Sequence, residues 1–288
     1  MENLQTTMAT DGEILIDNIV NSFSSDDMES LMALTGQTST QKSNQGLSRL
    51  NINYDMETED GVSLTRGDWK MMYEGEMVYA KTVKIRPILR TYEWSVFDQD
   101  QGTFSCKSVQ KPTLSGDFPD TEGGNKCGRL SVADEEKLKD DDPTKLRSRM
   151  AVCNQVLYCV ISGDFVKGNK EAIKIDAHPV VAYFKKSGFV PMRNFIDSLT
   201  KQKKIMQKCW INMGTAKQKK GSVTYWTPVP TLHSETNISA EDKELMKKFA
   251  DTVKAANQSV LEQNRDSAKL QVVVGEESLA DDFNASPV

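Results

Sequence analysis

From about Met71 onward, apolar and polar residues alternate with the two-residue period of half-buried strands. In Met77–Arg86, Val83 and Ile85 fall on one face and Lys84 and Arg86 on the other, and Pro87 is expected to interrupt the strand. Leu89–Phe97 reads as a second strand, and the polar run from Asp98 to Gly102 as a turn leading back into Thr103–Val109. Apolar strands resume at Gln155–Ile161 and Pro179–Phe184. Cys209–Thr215 and Ser222–Thr227 read as the arms of a hairpin, with Ala216–Gly221 as its tip.

Helical spacing is confined to a few places. Pro191 stands where helices begin, and Phe195, Ile196, Leu199 and Met206 supply an apolar stripe behind it. Ser239 followed by Asp242 predicts a helix start, with Leu245, Phe249, Val253, Ala256 and Val260 as a narrow buried stripe. Near the start of the chain, Ile14, Leu15, Ile16, Ile19, Val20 and Phe23, then Met28, Leu31, Met32 and Leu34, predict one or two short helices. The Gly/Ser/Thr/Gln/Asn-rich stretch from Gly36 to Ser48 reads as a linker.

These elements predict a mainly β protein with flanking helices, an α+β arrangement. The expected core is an OB-like small barrel or a bent antiparallel sheet. The expected organisation is an acidic, partly helical and flexible arm over 1–48, then a β-rich domain over 49–235. That domain carries a turn-rich insertion at 110–150, read as lying outside the core. An amphipathic helix over 236–270 and an acidic flexible tail over 271–288 complete it.

Charge sharpens the picture. The chain of 288 residues carries a net charge of -5 and a mean hydropathy of -0.51. Residues 1–62 balance at -9, residues 63–240 at +8 and residues 241–288 at -4. A basic middle between acidic ends is the pattern of a polyanion-binding domain whose tails compete for its own site; the alternative is that the acidic ends only aid solubility. No apolar run reaches membrane-spanning length and the first residues lack a signal-peptide pattern, so neither export nor a membrane contact is expected. Five irregularly spaced cysteines fit a reducing cytoplasm.

Between Lys185 and Lys220 lie ten basic residues (Lys185, Lys186, Arg193, Lys201, Lys203, Lys204, Lys208, Lys217, Lys219 and Lys220) against one acid, Asp197. Trp210 and Trp226 flank the expected hairpin tip, and Tyr92 and Trp94 share a strand face near Lys84, Arg86 and Arg90. Exposed aromatic rings stack bases with little sequence preference while cations hold the phosphates. The alternatives are a solvated basic face and aromatics that belong to the core.

The tail offers a separate sign. Glu276-Glu277, then Asp281-Asp282-Phe283, form an acidic terminus with an aromatic near its end. It resembles the tails of bacterial and phage single-stranded DNA-binding proteins, although five residues follow Phe283. That resemblance implies that Asp281, Asp282 and Phe283 recruit replication partners. The segments Tyr92-Glu93-Trp94, Cys106-Lys107-Ser108, the Gly/Pro-rich insertion with Cys127, Cys153 before a strand, and Lys219–Pro228 resemble a loose group of phage-encoded proteins of the same class. The resemblance implies single-stranded DNA as partner, a role in replication or recombination, and a host-cytoplasmic location; it leaves a homo-oligomer open.

Enzyme signatures are absent: there is no P-loop, no G-x-S-x-G elbow and no H-E-x-x-H. Asp140-Asp141-Asp142 reads as a solvated turn rather than a nuclease centre. Cys106, Cys127 and Cys153 contain no C-x-x-C pair, so buried free thiols are expected and no metal or cofactor, although convergence of the three in space stays open. The rival readings are an assembly protein that uses residues 14–34 as its adhesive and a metal-dependent nuclease.

Overall fold

The computed structural model describes residues 47–58, 61–98 and 102–283, with side chains described to residue 269. The N-terminal arm and its helical stretch at 14–34 lie outside the described residues.

Among the described residues, nine strands form one sheet that closes on itself. Strand β1 (Ser48–Ile52) pairs antiparallel with β2 (Trp69–Tyr73), which pairs with β3 (Glu76–Ala80). Strand β3 pairs with the far end of β6 (Val152–Lys167) through Val78 and Tyr79. Strand β6 pairs along its length with β7 (Ala172–Lys185), and β7 returns parallel to β1, so β1, β2, β3, β6 and β7 make a closed five-stranded barrel. The protein is therefore mainly β with a few helices, an OB-like α+β architecture. Strand β4 (Val83–Asp98) runs beside β6 and carries β5 (Thr103–Lys107) on one part and β8 (Cys209–Lys220) on another; β9 (Val223–Glu235) follows β8 as a hairpin.

The apolar run of β6 is continuous because both of its faces are covered. Leu157, Cys159 and Ile161 point into the barrel with Leu50, Trp69, Val180 and Phe184. Val156, Tyr158 and Val160 point outward, under Phe249 of the last helix. The barrel mouth is covered by helix α3 (Phe189–Lys201), whose Met192, Ile196 and Leu199 are buried, as the stripe behind Pro191 predicts for Ile196 and Leu199.

Helix α4 (Ala240–Phe283) lies across the outer face of β4 and β6. Its start is reciprocal: Ser239 Oγ accepts from the Asp242 N–H at 3.2 Å and an Asp242 carboxylate oxygen accepts from the Ser239 N–H at 2.8 Å. Phe249 is 2% exposed, a burial that contributes about 1.5–3 kcal/mol. The helix continues to Phe283, past the predicted boundary at residue 270, so the backbone of 271–283 is helical where a flexible tail was expected.

Three more expectations change. Pro87 does not end its strand, because the register of β4 against β6 shifts between Pro87 and Leu89 and a bulge absorbs the missing donor. The β8–β9 hairpin is longer than predicted, with β8 continuing through Lys220 to a turn at Gly221. The insertion after β5 is packed: Phe118 and Cys127 are fully buried, and it contains the short helices α1 (Val132–Glu136) and α2 (Pro143–Met150). Asp142 caps α2 through the N–H groups of Thr144 and Lys145, so the acidic run is a helix cap and ion-pair site.

Candidate nucleic-acid interface

The first cleft lies where β1 and β7 meet the β8–β9 hairpin. Tyr54, just past β1, is 47% exposed and meets the Trp226 ring edge-on at 5.7 Å between centroids. The Trp226 indole lies against the backbone of Gly67, where an added Cβ would stand 2.3 Å from Nε1, so glycine is required there both for space and for its φ of +94°. The hairpin is anchored from beneath by Trp69, whose buried Nε1 donates to the Met213 carbonyl at 2.9 Å. Thr215 Oγ1 also donates to the Gly67 carbonyl at 2.6 Å. The resulting cleft of about 330 Å³ is lined by Tyr54, Trp226, Tyr183 and Lys185 among others.

Lys185 also lines a second cleft of about 700 Å³, with Lys186, Arg149, Phe97 and Phe104. Phe97 and Phe104 face each other across the β4–β5 pair, edge to face at 5.3 Å. Both also line a third cleft of about 730 Å³ that adds Arg49, Lys107 and the Ala256–Gln263 side of α4. Lys107 Nζ sits 4.4 Å from the Phe104 ring centre, and the Arg49 guanidinium 5.0 Å from that of Tyr183. Lys185 is shared by the first and second clefts, and Phe97 and Phe104 by the second and third, so the three adjoin as one track lined by aromatic rings and cations. Partial burial, then repulsion from Lys186 and Arg49, lowers the Lys185 pKa, and an anion in the track relieves that repulsion.

The predicted site residues divide accordingly. Lys185, Lys186 and Trp226 are in the track. Lys217 stands opposite Trp226 in the hairpin, and the strand period puts Lys219 on the same face, while Lys220 points the other way. The remaining lysines do not line these clefts: Lys84 is exposed on β4, Lys201 ends α3 and Lys203 lies in the turn after it, Lys208 leads into β8, and Lys204 pairs with Glu235.

Other residues are withdrawn from the surface by what covers them. Arg86 is 7% exposed: its guanidinium holds both oxygens of Asp242 in a bidentate pair, one bond at 2.9 Å, and lies 5.5 Å from the Trp210 ring. Trp210 packs in the cluster under α4, so neither residue is a platform. Tyr92 is 4% exposed, packed with Val109 and Phe118 of the insertion, and its hydroxyl accepts from Arg90. Arg90 also reaches Asp197 at 3.4 Å, and burial lowers its pKa. Trp94 is half-buried between two core clusters, and Arg193 lies over Phe189. For the strand residues Arg86, Tyr92 and Trp210, a helix or the insertion covers a face that alternation alone leaves outward.

Arg49, Tyr54, Phe97, Phe104 and Lys107 were missed. Phe97 and Phe104 flank the predicted turn with Lys107 three residues on, a pattern visible in the chain before folding.

Asp281, Asp282 and Phe283 fall in the last turn of α4, where side chains are not described. Cys106 and Cys127 converge with Asp120, whereas Cys153 is outside that group, its thiol pushed up to about 12 by burial and by Glu93. Among the described residues no helix is long and apolar enough to cross a membrane. No protein-family model, curated protein or solved structure matches the chain.

Proposed function

We propose that the protein binds single-stranded DNA without sequence preference, along the track from Trp226 and Tyr54 to Phe97, Phe104 and Lys107. The observation that carries this reading is the continuity of the three clefts, with aromatic rings beside Arg49, Lys107, Lys185 and Lys186. Bases stack on such rings at about 1–3 kcal/mol each, and the cations take the phosphates. The rings form two edge-to-face pairs, Tyr54–Trp226 and Phe97–Phe104, in different concave clefts, which suits an unpaired strand with splayed bases better than a rigid duplex. The resemblance to phage-encoded single-strand-binding proteins supports a place in replication or recombination, with the end of α4 as the partner contact.

The test is fluorescence anisotropy of a labelled oligo-dT with the full chain at two salt concentrations, beside a duplex of equal length. The expected result is salt-sensitive binding that prefers the single strand and weakens in Trp226→Ala and in Phe97→Ala/Phe104→Ala. Equal affinity for duplex, or no binding at low salt, overturns the proposal.

A further inference from the structure

Beneath the third cleft, three donor atoms meet in a fully buried pocket. The sulfurs of Cys106 and Cys127 and a carboxylate oxygen of Asp120 all lie within 4.8 Å of one another. Cys106 comes from β5, Asp120 from the first turn of the insertion, and Cys127 from a tight turn in which both Lys126 and Cys127 have positive φ, +54° and +53°. Two successive non-glycine residues in the left-handed region cost energy, and here they turn the Cys127 sulfur toward the other two donors.

The chemistry is unbalanced as it stands. Asp120 is 1% exposed and has no ion-pair partner among the described residues. Its carboxylate accepts from the N–H groups of Cys127 at 2.7 Å, Gly124 at 3.0 Å and Glu122 at 3.1 Å. A carboxylate offers about four acceptor positions, so one remains, beside two sulfurs. The Cys127 thiol also donates to the Trp94 carbonyl at 3.4 Å. A disulfide needs no third acidic group. A buried carboxylate beside two sulfurs is the donor set that a cation of the zinc class takes.

We infer that Cys106, Cys127 and Asp120 bind one divalent cation of the zinc class. Two thiolates, one carboxylate and a solvent ligand complete a tetrahedron, with both thiol protons released to solvent on binding. The three ionised donors and the cation sum to one negative charge. The backbone N–H bonds to Asp120 orient the carboxylate as an outer shell does.

The ion would also fasten the insertion to the edge of the track. Cys106 directly precedes Lys107, and Thr121 next to Asp120 exchanges hydrogen bonds with the Lys107 backbone at 2.9 and 3.2 Å. Asn264 of α4 donates to the Asp120 carbonyl at 2.9 Å. The inference does not rest on nucleic-acid binding.

The test uses the full chain, purified under reducing conditions with zinc and, separately, loaded with cobalt(II). Elemental analysis is expected to find one zinc per chain, and cobalt to give thiolate charge-transfer and tetrahedral ligand-field bands. Cys127→Ser and Cys106→Ser lose both signals, and Cys153→Ser keeps them. Because a buried substitution can prevent folding, the wild-type cobalt spectrum decides by itself, and its absence in folded, reduced protein overturns the inference. A Cys106–Cys127 disulfide in freshly isolated protein, or full metal content in the Cys127→Ser variant, also overturns it.

Discussion

Replacing Lys185 and Lys186 together by glutamine tests the electrostatic part of the track. With Arg149 engaged by Asp140 at 3.0 Å, Arg49, Lys107, Lys185 and Lys186 are the four cations left along the path, and each neutralised phosphate contributes about -0.7 to the slope of log K against log salt. The wild-type slope is then about -2.8, and the double substitution brings it to about -1.4. Worked through the same relation, the affinity loss is about 25-fold near 0.1 M salt and about 5-fold near 0.3 M. The assay is oligo-dT anisotropy across a salt series at neutral pH. Lys243→Gln/Lys247→Gln serves as a control, since both lysines are exposed on α4 and neither lines the track. A loss equal at every salt concentration would show that the lysines act by holding structure. An unchanged slope in the track variant, or a reduced one in the control, would refute the placement of the phosphate path.

Gly67→Ala places a methyl group 2.3 Å from the Trp226 indole nitrogen and forces an unfavourable φ. Displacing the ring should cost binding about 1–3 kcal/mol, as Trp226→Ala does, with a shifted tryptophan emission; unchanged affinity would remove Trp226 from the interface. Asp242→Ala leaves Arg86 buried and unpaired, so denaturant unfolding should report a loss of about 3–5 kcal/mol, and a loss under 1 kcal/mol would mean that water reaches the guanidinium. Glu93 is buried, and desolvation raises its pKa above the ordinary glutamate value. The folded state therefore holds its proton to higher pH than the unfolded chain, and stability falls as pH rises between those two values. Glu93→Gln should be more stable relative to wild type at neutral pH than at pH near 4, by paired denaturation curves. A difference independent of pH would contradict the assignment.

Much of the barrel was legible because strand alternation reports a buried face directly. Val83 and Ile85 point inward and Lys84 outward, as their spacing predicts. The site was less legible, since alternation says only that a side chain leaves the inner face. Arg86, Trp210 and Tyr92 all leave it, and α4 or the insertion then covers them. The insertion misled for a related reason. Phe118 and Cys127 are buried among turns held by side-chain bonds to backbone, such as those of Asp120 and Asn125, which carry no period. Pro87 is a third case: proline at a bulge and proline at a strand end look the same in sequence.

The parallel pairing of β1 with β7 has a consequence for the order in which this chain acquires structure. Arg49 faces Val181 across the closure, Trp69 reaches a carbonyl 144 positions along the chain, and Arg86 meets a carboxylate 156 positions along. Contacts of such separation slow folding, because the intervening chain must be confined before they form. On a ribosome, β1, β2 and β3 emerge with their ring unclosed and wait for β7. The outer faces of β4 and β6 stay bare until α4, which follows β9, is made. The nascent chain thus exposes the apolar run of β6 and open strand edges until α4 has emerged, which makes aggregation during synthesis, rather than instability of the finished barrel, the hazard this topology carries.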